Sequence, residues 1–77
     1  MSSPLALLKP GQSGIVEGYT ELNEISLRLM QMGLVEGTQI EVVRFAPTGD
    51  PIEIRLMGYC LSLRIQEAKN VLVGSVN

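Results

Sequence analysis

Few side chains in this 77-residue chain could do chemistry. It contains no histidine, which removes the commonest general base and the commonest transition-metal ligand. Neither a Ser-His-Asp nor a Cys-His nucleophilic site can be assembled. What remains is one cysteine, Cys60, and two carboxylates close in sequence, Asp50 and Glu53. If Cys60 lies across a hairpin from them, the three offer a carboxylate and thiolate metal set. The plainer reading is a solvated loop beside a small buried residue. Met30, Met32 and Met57 are soft donors that a metal such as copper would accept. Gap-filling accounts for them more simply, because the core has only Tyr19, Phe45 and Tyr59 as aromatics. Gly11 and Gly14 precede a strand rather than a helix, and no Gly-Lys-Ser/Thr run occurs, so the glycines read as turn residues and not as a phosphate cradle. With no catalytic constellation, the chain reads as a binder rather than an enzyme, and no cofactor is expected.

The charge pattern narrows the partner. Six basic and eight acidic residues give a net charge of −2. The basic ones (Lys9, Arg28, Arg44, Arg55, Arg64, Lys69) are scattered. Phosphate-backbone binding needs a basic stripe that releases counterions, so nucleic acid is excluded as a partner. Leu5-Ala6-Leu7-Leu8 is stopped by Lys9-Pro10-Gly11, far short of the roughly 20 apolar residues that span a bilayer. A small domain with one cysteine and no disulfide fits a reducing compartment. The expectation is a single cytoplasmic domain over residues 1–77, with no membrane insertion. A weak homo-oligomer is compatible with these features.

The elements that must position such side chains are mostly strands. Lys9-Pro10-Gly11-Gln12 has the Pro and Gly placement of a type II turn and leads into a strand over about 13–19. Apolar residues at Leu22, Ile25, Leu29 and Met32 repeat with helical period, which predicts a helix over about 22–32 with Thr20 or Asn23 as its cap. Ile25 and Leu29 are expected to face inward. Gly33 as a left-handed C′ residue would bring Leu34 against Leu29 in a Schellman motif. Val35-Glu36-Gly37-Thr38 reads as a turn and residues 39–46 as a strand. Pro47-Thr48-Gly49-Asp50-Pro51 is a loop. Ile52-Glu53-Ile54-Arg55-Leu56 alternates strictly, and Tyr59 to Leu63 alternates again after Gly58, the pattern of a hairpin with one face in the core. A short helical turn near 65–69 and a strand at Val71-Leu72-Val73 complete the chain. About five short antiparallel strands and one helix point to a mostly β fold that closes into a small barrel.

Three segments, in order and spacing, resemble one family: Arg28-Leu29-Met30-Gln31-Met32-Gly33-Leu34-Val35-Glu36-Gly37, then Ala46-Pro47-Thr48-Gly49-Asp50-Pro51-Ile52, then Leu61-Ser62-Leu63-Arg64-Ile65-Gln66-Glu67-Ala68. They are similar to ferrous iron transport protein A, and the likeness runs over about residues 5–73. Glu36 stands where that family usually has Pro, and Ser62 where Ala is common. The resemblance implies an SH3-like barrel that accompanies a ferrous iron transporter in the membrane and acts on its cytoplasmic, nucleotide-hydrolysing G domain or on its assembly. It also implies kinship with the C-terminal domain of metal-dependent repressors, and it leaves a weak Fe(II)-binding chaperone as a further alternative. A chain that docks should carry exposed apolar side chains. Leu27, Met30 and Leu34 are the candidates on and after the helix, with Arg28 and Arg64 as contacts to an acidic partner. Arg64 is expected to form an exposed ion pair with Glu67.

Overall fold

The computed structural model describes residues 2–77. Strands β1 (Ser3–Pro4), β2 (Ser13–Tyr19), β3 (Gln39–Phe45), β4 (Ile52–Leu56), β5 (Tyr59–Leu63) and β6 (Val71–Gly74) form one antiparallel sheet in the order β1-β6-β2-β3-β4-β5. Helices α1 (Glu24–Gln31) and α2 (Ile65–Ala68) and a 3-10 turn at Leu5–Leu7 sit in the connections. The mostly β architecture is the expected one. The additional strand, β1, is two residues long and pairs Ser3 with Val73 and Pro4 with Leu72, a partnership about seventy residues away that no local pattern announces.

The sheet curls because β2 serves two neighbours in turn. Its first half, Ser13 to Ile15, pairs with β3, and Ile15 to Tyr19 pairs with β6. Register shifts at Val16/Gly18 and at Val42/Arg44 are the bulges that bend the two long strands. Gly14 is therefore not a turn residue: it lies inside β2, where an added Cβ would run into the Val73 side chain and stand 2.8 Å from the Gly74 carbonyl. The concave side holds one core. Ile40 and Val42 come from β3, Ile52, Ile54 and Leu56 from β4, Val71 and Val73 from β6, and Leu5 and Leu8 from the N-terminal segment. The strict alternation read in 52–56 is the burial pattern observed, with its three apolar residues at 0–1% exposure.

The turns have local causes. Gly11 (φ 90°), Gly37 (φ 94°) and Gly49 (φ 93°) hold the left-handed conformation at the three expected turns. Gln12 N–H donates to the Lys9 carbonyl (3.0 Å) and Thr38 N–H to the Val35 carbonyl (3.0 Å). The β4–β5 hairpin turns on Met57 (φ 50°) and Gly58 (φ 83°), a two-residue type I′ turn whose first position suits Asn or Gly better than Met.

Candidate docking surface

Helix α1 is shorter than its apolar period suggests, and it is rotated. Asn23 is the cap: its Oδ1 accepts from Ser26 N–H (3.0 Å), while Ser26 Oγ accepts from Asn23 N–H (2.7 Å). This reciprocal box holds the serine hydroxyl so fully that Ser26 enters the core at 0% exposure. The buried stripe therefore runs through Ser26 and Leu29. Ile25 (39% exposed), Leu22 (75%) and Met32 (42%) fall outside it, so Ile25 does not face inward as the period suggests. The exit is the expected one. Gly33 (φ 108°) follows the Met32 cap, Gly33 N–H donates to the Met30 carbonyl and Leu34 N–H to the Leu29 carbonyl, both at 3.0 Å. These are the two bonds of a Schellman motif.

That exit corrects one candidate. Leu34, expected partly outside, is 0% exposed, because the motif folds it back beside Leu29. Leu27 is exposed (55%) and Met30 is half-buried. Met30 lines a groove of about 220 Å³ together with Gly18, Tyr19, Leu22, Val35 and Glu36. Leu22 and Val35 were not singled out from sequence. A signal was present for the first: Leu22 stands at N′ and Leu27 at N4, the two positions a hydrophobic staple joins. Tyr19 forms the floor. Its hydroxyl donates to the Leu34 carbonyl at 2.6 Å, and burial pushes its phenol up to about 12. The charged rim is Glu36, with Glu21 exposed on the segment leading into α1 and Glu24 exposed at the helix's first position.

The two arginines separate. Arg28 pairs with Glu67 across α1 and α2, so Glu67 does not form the ion pair with Arg64 that their spacing suggests. Glu67 is only 13% exposed at its side chain, and its other oxygen accepts the Arg64 backbone N–H at 2.9 Å. Arg64 is exposed and makes no ion pair among the described residues.

The metal set does not assemble. Asp50 Oδ1 accepts from Ile65 N–H (3.1 Å) at the start of α2, and Glu53 Oε1 accepts from Arg44 Nε (2.8 Å). Cys60 is exposed rather than buried and lies opposite Arg55 in the β4–β5 ladder. No group of three metal-ligating side chains forms among the described residues. Both carboxylates are engaged by groups on other elements, which sequence proximity could not reveal. Met32 (42% exposed) and Met57 (72% exposed, at its hairpin tip) do not fill the core either. Near it, the Tyr59 hydroxyl donates to the Met32 carbonyl over the end of α1.

A further cleft, about 820 Å³ and open to solvent, runs between the Gly37 turn and the β4–β5 hairpin, and the exposed Arg55–Glu41 pair (3.2 Å) lies along it. No described helix is long and apolar enough to cross a membrane.

Comparison with known proteins gives these features a family. The FeoA domain matches residues 3–74. The chain is 33% identical over 69 residues to the Fe(2+) transport protein A/Fe(2+) transporter FeoB fusion protein of Porphyromonas gingivalis, an alignment covering 90% of this chain and 8% of that one. It thus spans less than a tenth of the curated relative it matches. Among solved structures it is similar to an FeoA-like protein from Clostridium acetobutylicum (TM-score 0.87, 40% identity, 94% of this chain and 84% of that one). It is also similar to FeoA of Stenotrophomonas maltophilia complexed with zinc, described as a procaryotic SH3 domain protein (TM-score 0.83, 31% identity, 100% and 95%). The fold alone recurs in a manganese-dependent transcriptional repressor (TM-score 0.83, 14% identity, 94% and 40%). A match over nearly all of the described residues, with the SH3-like sheet to go with it, makes the conclusion direct: the chain belongs to the FeoA family of small accessory domains, which is not a family of enzymes.

Proposed function

We propose that this chain is a cytoplasmic accessory protein of ferrous iron uptake that docks on the iron transporter by protein–protein contact. The dock is the groove of Tyr19, Leu22, Met30 and Val35, extended by Leu27, and it rests on the transporter's nucleotide-hydrolysing cytoplasmic region. The observation that carries this reading is the relative in which an FeoA segment and an FeoB transporter form one polypeptide. Two functions joined in one chain act at one place, at an effective concentration no free pair reaches. The groove supplies the physical means: apolar side chains that remain exposed on a small domain gain free energy when a partner covers them. Regulation through contact also fits a surface on which no metal-ligand set assembles among the described residues. The likeness to repressor domains is one of fold, and the scattered basic residues, of which Arg28, Arg44 and Arg55 are ion-paired, give no DNA-facing stripe.

The test is retention of this protein by the transporter's isolated cytoplasmic region and by the intact detergent-solubilised transporter, with and without guanine nucleotide. Specific retention by either supports the reading. Absence of retention by both, with the protein folded, refutes it.

A further inference from the structure

The sheet has two edges, and the chain treats them differently. The β1 edge is two residues long and includes Pro4, which has no N–H to donate, so it resists extension. The β5 edge, Tyr59-Cys60-Leu61-Ser62-Leu63, has no charge, no proline and no bulge. Its two-residue turn closes on the Leu56–Tyr59 pair. Antiparallel bonding alternates, so Tyr59, Leu61 and Leu63 bond to β4, while the N–H and C=O of Cys60 and Ser62 point away from the sheet. Both residues are exposed, and these four groups have no partner among the described residues.

We propose that this edge pairs antiparallel with β5 of a second copy of the chain, about a two-fold axis at Leu61, joining two six-stranded sheets into one of twelve strands. The register follows from the outward groups: Cys60 of each copy exchanges both backbone bonds with Ser62 of the other, four bonds in all. Every side-chain row across the new seam is then matched. On the core side the rows read Ile54, Leu61, Leu61, Ile54 and Leu56, Tyr59, Leu63, Ile52, apolar throughout, and they cover Tyr59 (43% exposed) and half-buried Leu61. On the outer side the rows read Arg55, Cys60, Ser62, Glu53, so each ends in opposite charges, one from each copy. A head-to-tail alternative, β5 on β1, is blocked by Pro4 and by the shortness of β1. One five-residue seam buries less than the ~1,200 Å² at which stable interfaces begin, so the dimer is a weak one that builds up only as concentration rises.

Sedimentation equilibrium and amide spectra from tens of micromolar to about 1 mM test this directly. The weight-average mass should climb from 8.4 kDa toward twice that value, with the largest amide shifts at Cys60 and Ser62. Ser62→Pro removes an N–H that β4 does not use and should keep the protein monomeric throughout. Ser62→Lys should do the same by charge, whether or not the proline variant folds. Register is read by mixing wild type with C60S/S62C under added diamide, which takes up the two electrons and two protons released as two thiols become a disulfide. The mixed disulfide should form several-fold faster than either like-with-like product. A mass that stays monomeric would overturn the proposal, as would association undiminished in both Ser62 variants or a dominance of like-with-like cross-links. Binding of an extended peptide at the same amides without self-association would overturn it too.

Discussion

Replacing Leu22 and Leu27 together by alanine tests whether the apolar rim of the groove is a dock or an unusual piece of surface. Fully burying a leucine side chain is worth ~1.5–3 kcal/mol. Leu27 is 55% exposed and Leu22 75% exposed, so a covering partner has roughly half to three-quarters of that to gain at each. The sum is about 2.5 kcal/mol for the pair, a loss of affinity of about 70-fold. The two stand at the positions a hydrophobic staple would join, so their effects should be measured singly as well as together. Folding should suffer less, because the part of each side chain already buried is the smaller part at Leu22 and under half at Leu27. A loss of about 1 kcal/mol lowers Tm by ~4–8 °C in a domain this size. Leu34→Ala supplies the contrast: at 0% exposure it should cost about 2–5 kcal/mol of stability. Calorimetric titration against the transporter's cytoplasmic region, with thermal unfolding alongside, separates the two. If the double variant folds and its affinity falls less than two-fold, the groove is not the dock. If its Tm collapses as far as that of Leu34→Ala, these leucines are core, and the reading of exposure is wrong.

Three further outcomes follow from local geometry. Gly33→Ala should destabilise by about 1–3 kcal/mol, because φ is 108° and the new Cβ would sit 2.7 Å from the Tyr59 hydroxyl; Tyr59→Phe in the same chain should recover only the steric part, as read by denaturant unfolding. Met57→Asn should stabilise by about 1 kcal/mol in the same assay, since an exposed methionine holds a left-handed turn position that asparagine adopts readily. Tyr19→Phe should lose about 1 kcal/mol with the hydrogen bond to the Leu34 carbonyl. It should also change the alkaline limb of stability. The folded phenol titrates above its unfolded value, so its contribution is complete below pH 10 and is lost as pH rises from 10 toward 12. Melting curves across that window should fall less steeply for Tyr19→Phe than for wild type.

Where causes are local, the chain states its structure openly. The Pro-Gly turn at 10–11, the Gly37 turn, the Schellman exit at Gly33 and the alternation of 52–56 depend on residues within one turn or one strand, and each takes its expected form. The absence of histidine, the scatter of basic residues and the ordered segments shared with one family already excluded catalysis of the common kinds and pointed to an accessory domain. What the tertiary structure alone decided is which side of each element faces what. Helical period marked Leu22, Ile25, Leu29 and Met32 as one face, but a capping box turned Ser26 inward and left Leu29 alone of the four in the core. Glu67 took Arg28, thirty-nine residues away, in place of its neighbour Arg64. Asp50 and Glu53 were drawn to Ile65 and Arg44 rather than to Cys60. These choices are settled by packing between elements distant in the chain, where burial and charge pairing across space outweigh what adjacency in sequence suggests.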